Sequence, residues 1–289
     1  MKAFYFRRNH CSSCGHTYDP TRTKCPYCGQ ENPDKEARRF ENFLPVPAWK
    51  EAVFFGVGYF GLQLTVLLVE LICIAVVGVE NSSAFLNSGK GIFVIYAVAY
   101  PVVFALLGFF LWDDWRWIGK SFSSWKPYVA GLVGFAAMMG ANVVYNLIIQ
   151  GIFSAAGVPL PGTNGNQTNV VSMVLQNPLV CVFVIGLIGP CMEELCYRVG
   201  LFGFMNRFDK WVGYLVGILF FGFIHFDFTA FGDGERLLGE IIALPNYLGS
   251  AAALCFLYDK FGFGASFTAH SLNNLLSIAE ILVTQGIAK

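Results

Sequence analysis

LVCVFVIGLIGPCMEELCYRVGLFGFMN, residues 179–206, decides the class of this fold. Its only charged residues are Glu193, Glu194 and Arg198, set near the middle of an otherwise apolar run. About 20 such residues in a helix cross the hydrocarbon core of a bilayer, so the stretch reads as a transmembrane helix carrying a charged cluster. Charges inside a span are costly and are usually kept for function.

Composition carries this reading to the rest of the chain. Of the 289 residues 55% are hydrophobic and 13% charged, against about 25% charged in an ordinary soluble domain. Such a chain cannot cover a water-facing surface with polar groups, which excludes a soluble globular enzyme. Lys plus Arg equals Asp plus Glu at 19 each, so no basic excess points to a nucleic-acid partner. Hydropathy separates six further spans: Trp49–Val79, Gly91–Trp112, Tyr128–Ala156, Trp211–Phe226, Leu237–Tyr258 and Phe263–Ile287. The expected fold is an all-α polytopic membrane protein of seven helices, or eight if the first or third splits. Pro245 and Asn246 predict a kinked or re-entrant sixth span.

The polar residues gather at the N-terminus, where residues 1–50 hold nine Lys/Arg and five Asp/Glu. Cys11-x2-Cys14 and Cys25-x2-Cys28 form two knuckles, followed by Gly15 and Gly29. Four thiolates at this spacing suit one tetrahedral structural Zn²⁺, as in a zinc ribbon over residues 1–32; two disulfides are the alternative. Zinc-bound thiolates imply a reducing compartment. His16 is a spare donor read as a bystander. The ribbon is also a candidate surface for a protein partner. Residues 33–48 read as a charged linker in which Pro45 and Pro47 stop a helix, and residues 49–289 as the membrane domain.

Orientation follows from the loops. With the ribbon inside, the inner segments carry 15 Lys/Arg and the outer ones three, Lys90, Arg236 and Lys289. The expectation is a cytosolic N-terminus and an outer C-terminus. No signal peptide is expected ahead of the ribbon, since Arg7, Arg8 and His10 replace the apolar segment one requires.

Within the membrane part, Glu194 and Arg198 lie four apart on a helix and can pair, which leaves Glu193 without a local partner. The only histidines there are His225, four after Phe221, and His270, four before Asn274. At 1.5 Å per residue, Glu193 lies about 20 Å, His225 about 22 Å and His270 about 15 Å from the inner ends of their spans. Three helices thus bring ionisable groups to one depth. A desolvated carboxylate can take a proton from water, a histidine can orient that water, and a second His with an Asn can stabilise an oxyanion. The same groups could instead hold a catalytic Zn²⁺.

These residues carry a resemblance. EExxxR (Glu193, Glu194, Arg198), FxxxH (Phe221, His225) and HxxxN (His270, Asn274), in that order on three spans, resemble the CPBP family of intramembrane proteases. That family comprises the type II CAAX prenyl proteases and the bacteriocin-processing and immunity (Abi) proteins. The similarity covers about residues 175–285. It implies an endopeptidase for prenylated or small peptide substrates in a membrane, here expected to be a bacterial cell membrane. It also implies that Glu193 and His225 activate water, that His270 and Asn274 form the oxyanion hole, and that Glu194, Arg198 and Phe221 support them. Whether a metal takes part is left open. Here Tyr197 and Val199 flank the arginine where the family commonly has Phe and Gly, with Gly200 one place later.

Two rival functions share these features: a catalytically silent scaffold or immunity protein of the same fold, and a transporter using the polar cluster as an ion site. A transporter would often show an internal repeat, and none is evident. Asn142, Asn146 and Gln150, spaced by four, are read as interhelical hydrogen bonders, with a substrate path as the alternative. Cys73, Cys181, Cys191, Cys196 and Cys255 are read as core fillers. The uncharged loop Val158–Gln176 either gates or simply spans the outer end. Asp227, Asp233 and Glu235 read as a solvated loop.

Overall fold

The structure, a computed structural model, describes Phe6, residues 8–162 and residues 164–286. Lys2, Arg7, Ile287 and Lys289, used above for the head, the last span and the charge bias, lie outside the described residues.

Among the described residues, seven long helices form where the hydropathy places them: α1 Ala48–Val77, α2 Gly89–Phe110, α3 Lys126–Ala156, α4 Pro178–Asn206, α5 Lys210–Phe223, α6 Gly234–Phe261 and α7 Phe263–Gly286. Five of them, α1 to α4 and α6, are long and apolar enough to cross a membrane. The 14 residues of α5 fall short of a full span. Helix α7 has the length, but His270, Asn273, Asn274 and Glu280 lower its hydropathy.

Helix α4 is the centre of the bundle. Half of its most apolar stretch is buried inside the protein, against 6% for α3. Two wide π-turns interrupt it, Val184–Ile188 and Glu194–Phe202, a device frequent at functional sites because it re-aims side chains. Glycines set its neighbours' approach. A Cβ at Gly186 would meet the Leu275 side chain of α7 at 2.6 Å, and one at Gly200 would meet the Phe55 backbone nitrogen of α1 at 2.7 Å. Val199, by contrast, is buried in the main apolar core. Glycine one place after the usual position is thus where the α1 backbone would meet an added Cβ.

The sixth helix corrects the expectation of a re-entrant turn: α6 is one continuous helix with Pro245 inside it. Tyr145 of α3 donates to the Ile242 carbonyl at 2.9 Å, in the turn before Pro245, the kind of outside partner with which membrane helices tolerate proline. The fifth span is also shorter than read, because α5 ends at Phe223 and leaves His225 in the turn that follows. Three short helices, Val79–Leu86, Trp115–Ser121 and Gly165–Gln176, lie between spans.

The N-terminal unit pairs β1 (Asn9–His10) antiparallel with β2 (Thr17–Tyr18). It is seated on the ends of α1 and α4. Buried Arg207 meets Asp19 of the ribbon at 3.2 Å, Glu51 of α1, and the Val46 carbonyl at 3.0 Å. Arg22 donates to the Pro45 carbonyl at 2.7 Å and lies over the Trp117 ring. The segment read as a linker is packed: Phe40, Phe43, Leu44 and Val46 are buried in the main core. Helix α1 starts directly after Pro47.

Candidate functional site

Helix α4 brings Glu193, the turn after α5 brings His225, α7 brings His270 and Asn274, and α6 brings Tyr247 to one polar pocket that α3 also lines; Glu194 is buried outside this lining. Glu193, His225, His270 and Asn274 line a single cavity of about 520 Å³. The structure thus brings these four residues together in space.

The two histidines are held by different acceptors. His270 Nδ1 lies 2.9 Å from Glu194 Oε1, and its Nε2 lies 3.6 Å from Glu193 Oε2. His225 Nδ1 lies 2.8 Å from the carbonyl oxygen of Phe221. A carbonyl only accepts, so His225 Nδ1 carries the proton, and an ionised Glu194 fixes the same tautomer in neutral His270. Each neutral ring then keeps an unprotonated Nε2. Glu193 has no partner on its own helix, as read, but it does have one on α7.

Asn274 is also fixed. Its Nδ2 donates to the Ile185 carbonyl at 3.0 Å, inside the first π-turn of α4, and its Oδ1 accepts from Asn273 at 3.3 Å. These contacts orient the amide and leave the second Nδ2 hydrogen uncommitted by either.

Glu194 and Arg198 are fully buried and 3.6 Å apart. That is an ion pair without a hydrogen bond, and the guanidinium nitrogens Nε, Nη1 and Nη2 have no hydrogen-bond partner within the protein. The guanidinium instead lies 4.1 Å from the centroid of Phe221, a cation–π contact that gains strength when desolvated. Phe221 thus serves twice, through its ring under Arg198 and its carbonyl on His225.

Sequence reasoning missed three groups. Tyr247 stacks on His225 with ring centroids 4.7 Å apart, and its hydroxyl accepts from Asn164 and Asn166 at 3.0 and 3.1 Å. Buried Glu240 accepts from the backbone N–H of Gly165 at 2.7 Å and of Asp227 at 3.1 Å. Asn164, Asn166 and Glu240 thereby tie the segment around 164–166 to α6 and the turn beside His225. No local spacing rule exposes the contacts of the 164–166 segment, because its partners Glu240 and Tyr247 lie 75 to 83 residues away. Asp227 is a clamp as well as a loop residue. The Thr229 hydroxyl and N–H, together with Arg236, hold its carboxyl below the usual range. Cys196 is buried against Phe55 and is not part of the cavity lining.

In the ribbon, the sulfurs of Cys11, Cys14, Cys25 and Cys28 all lie within 4.8 Å of one another and can hold a metal ion. The cysteines are free, with no disulfide among the described residues. Sulfur separations of 3.5 Å (Cys11–Cys28) and 3.7 Å (Cys14–Cys25) approach the edge of about 3.8 Å of a tetrahedron with 2.3 Å metal–sulfur bonds. Gly15 and Gly29 take φ of +73° and +78°, a conformation glycine adopts without steric cost. Their N–H groups bond back to the carbonyls of Cys11 and Cys25. The Cys14 N–H directed at the Cys11 sulfur lowers that thiol to about 6, the direction that favours metal ligation. His16 lies outside the quartet, stacked on Tyr27. Among the described residues, this quartet is the one group of three or more Cys, His, Asp or Glu gathered closely enough for a single ion.

No solved structure matches the chain. It is 26% identical over 163 residues to the UPF0177 protein YvdC of Lactococcus lactis. That match covers 55% of this chain and 56% of the relative, so the chain spans little more than half of the relative's length. Residues 175–276, the segment carrying Glu193, Glu194, Arg198, Phe221, His225, His270 and Asn274, match the family described as type II CAAX prenyl endopeptidase Rce1-like.

Proposed function

We propose that the protein is an intramembrane endopeptidase in which Glu193 activates water. The observation that carries this reading is the Glu193–His270 contact of 3.6 Å in a cavity shared with His225 and Asn274. Glu193 takes a proton from a water molecule, oriented by the unprotonated Nε2 of His225 or His270. The water oxygen bonds to the peptide carbonyl carbon and the π pair moves to the carbonyl oxygen. The second amide hydrogen of Asn274 is the donor for that oxyanion, joined by His270 Nε2 once it receives the proton from Glu193. The C–N bond then breaks as the leaving nitrogen takes that proton. Glu194 positions His270, and Arg198 with Phe221 holds Glu194.

The four ribbon cysteines hold a structural Zn²⁺ in this reading, supported by four sulfurs gathered within 4.8 Å of one another. The ribbon and N-terminus face the cytosol and the C-terminus faces outward, supported by the charge bias of the loops. The ribbon can also serve a protein partner, and the substrate is a peptide or protein segment within the bilayer.

Purified full-length protein in lipid nanodiscs, incubated with a panel of membrane-associated peptides with and without a chelator, tests the activity. Cleavage lost in Glu193→Gln supports the proposal. Wild-type function unchanged by both Glu193→Gln and His225→Ala would leave a non-catalytic scaffold.

A further inference from the structure

The cavity around Glu193 has an unusual lining. Eight of its side chains are asparagine or glutamine, among them Asn142 and Asn146 on α3, Asn166, and Asn246 on α6. Among the described residues, no lysine, arginine or aspartate lines it, and Glu193 is its only carboxylate. The Asn142/Asn146 stripe is only partly explained by helix contact. Asn246 donates to Asn146 at 3.1 Å, yet both residues and Asn142 also face the cavity.

Amide side chains offer paired donors and acceptors without charge. They match a peptide backbone and the side chains of Asn, Gln, Ser and Thr. They cannot neutralise an anion, and a buried charge without a partner is expensive. We propose, resting on the hydrolase reading above, that this amide-lined chamber is a subsite selecting an uncharged, polar peptide segment and rejecting acidic side chains. Asn142, Asn146, Asn166 and Asn246 are its specificity-determining residues.

The chamber's position supports this assignment. It continues from Glu193, His225 and Asn274 to the segment around Asn164 and Asn166, which Tyr247 joins to His225. A peptide with its scissile bond at Glu193 therefore runs along the amides on one side of that bond.

The test measures binding separately from turnover. Full-length Glu193→Gln protein in nanodiscs is titrated with dansyl-labelled, N-acetylated, C-terminally amidated peptides of Leu, Ala and Asn, in which each Asn is replaced in turn by Asp. The substitution is nearly isosteric, adds a negative charge and exchanges the amide donors for an acceptor oxygen. Gln at 193 also removes the one carboxylate that could repel Asp, so a remaining preference belongs to the rest of the lining. At least one Asn→Asp position should weaken binding about tenfold or more, and Asn142→Lys in the same background should abolish or reverse that preference. Equal binding of all Asn and Asp peptides, tighter binding of Asp, or no binding of any peptide overturns the subsite. An Asn-selective protein whose wild type does not cut the bound peptide would instead sink the hydrolase reading and leave the subsite standing.

Discussion

His270 Nδ1 and Glu194 Oε1 stand 2.9 Å apart, so the glutamate that the sequence pairs with Arg198 also sets the orientation of the histidine beside Glu193. The two neighbouring glutamates of α4 thus act on the two nitrogens of one ring. Glu194 is buried completely while Glu193 retains access to the cavity. The buried carboxylate positions the ring, and the accessible one is free to meet water and substrate.

Breaking this arrangement at Arg198 separates structure from activity. Arg198→Ala leaves Glu194 buried without its cation, a loss worth about 3–5 kcal/mol in comparable buried pairs. The expected outcome is poor folding in a detergent-stability assay, partly restored by adding Glu194→Gln. Activity should stay low in the double variant, because a neutral amide no longer fixes the His270 tautomer. A fully active, normally stable Arg198→Ala protein would show that the pair does not matter.

The ribbon offers a prediction by metal removal. Full-length protein should carry one Zn²⁺ per chain by elemental analysis, and Cys25→Ser with Cys28→Ser should carry none. Because Arg207 also pairs with Glu51, loss of Asp19 leaves the inner end of α4 with a partner. The metal-free variant should therefore keep the membrane helices and lose protease resistance mainly before residue 48. Wild-type protein isolated without metal, yet with an intact ribbon by limited proteolysis, contradicts this.

Topology can be read with single cysteines in a background lacking the native ones. A cysteine at residue 165 should react with a membrane-impermeant maleimide in intact cells, and one at residue 120 only after permeabilisation. The opposite pattern reverses the orientation inferred from the loop charges.

The long helices were legible because hydropathy over about 20 residues is a one-dimensional property. The start of α1 after Pro47 and the end of α4 at Asn206 follow it closely. The ribbon was legible because metal spacing is local. The convergence of Glu193, His225, His270 and Asn274 was legible only through depth, a count along each helix. What depth cannot give is rotation about the helix axis. That is why the His270–Glu194 bond, the Tyr247–His225 stack and the Glu240 clamp emerge only in three dimensions. The apolar residues Phe40, Phe43 and Leu44 were hidden for another reason, since charged neighbours such as Arg38, Arg39 and Glu41 mask a short packed strap.

Glu193→Gln is the substitution on which the enzyme reading stands. It keeps the size of the side chain and its contact with His270 but removes the base, so kcat should fall by about 10²–10⁴. Folding should survive, since an amide is cheaper to bury than a carboxylate. Asn274→Ala should lower kcat by about 10²–10³ with little change in KM, because the oxyanion exists only in the transition state. It also removes the bond to Ile185, so stability must be measured beside it; Asn274→Asp keeps the size but swaps the donor for an acceptor and should be no more active. His225→Ala removes an acceptor for water and the stacking partner of Tyr247, and should lower kcat while disturbing the segment around Asn164. The diagnostic pattern is a kcat loss common to Glu193, His225 and Asn274 with peptide binding retained in Glu193→Gln; losses confined to KM would place these residues in substrate binding alone.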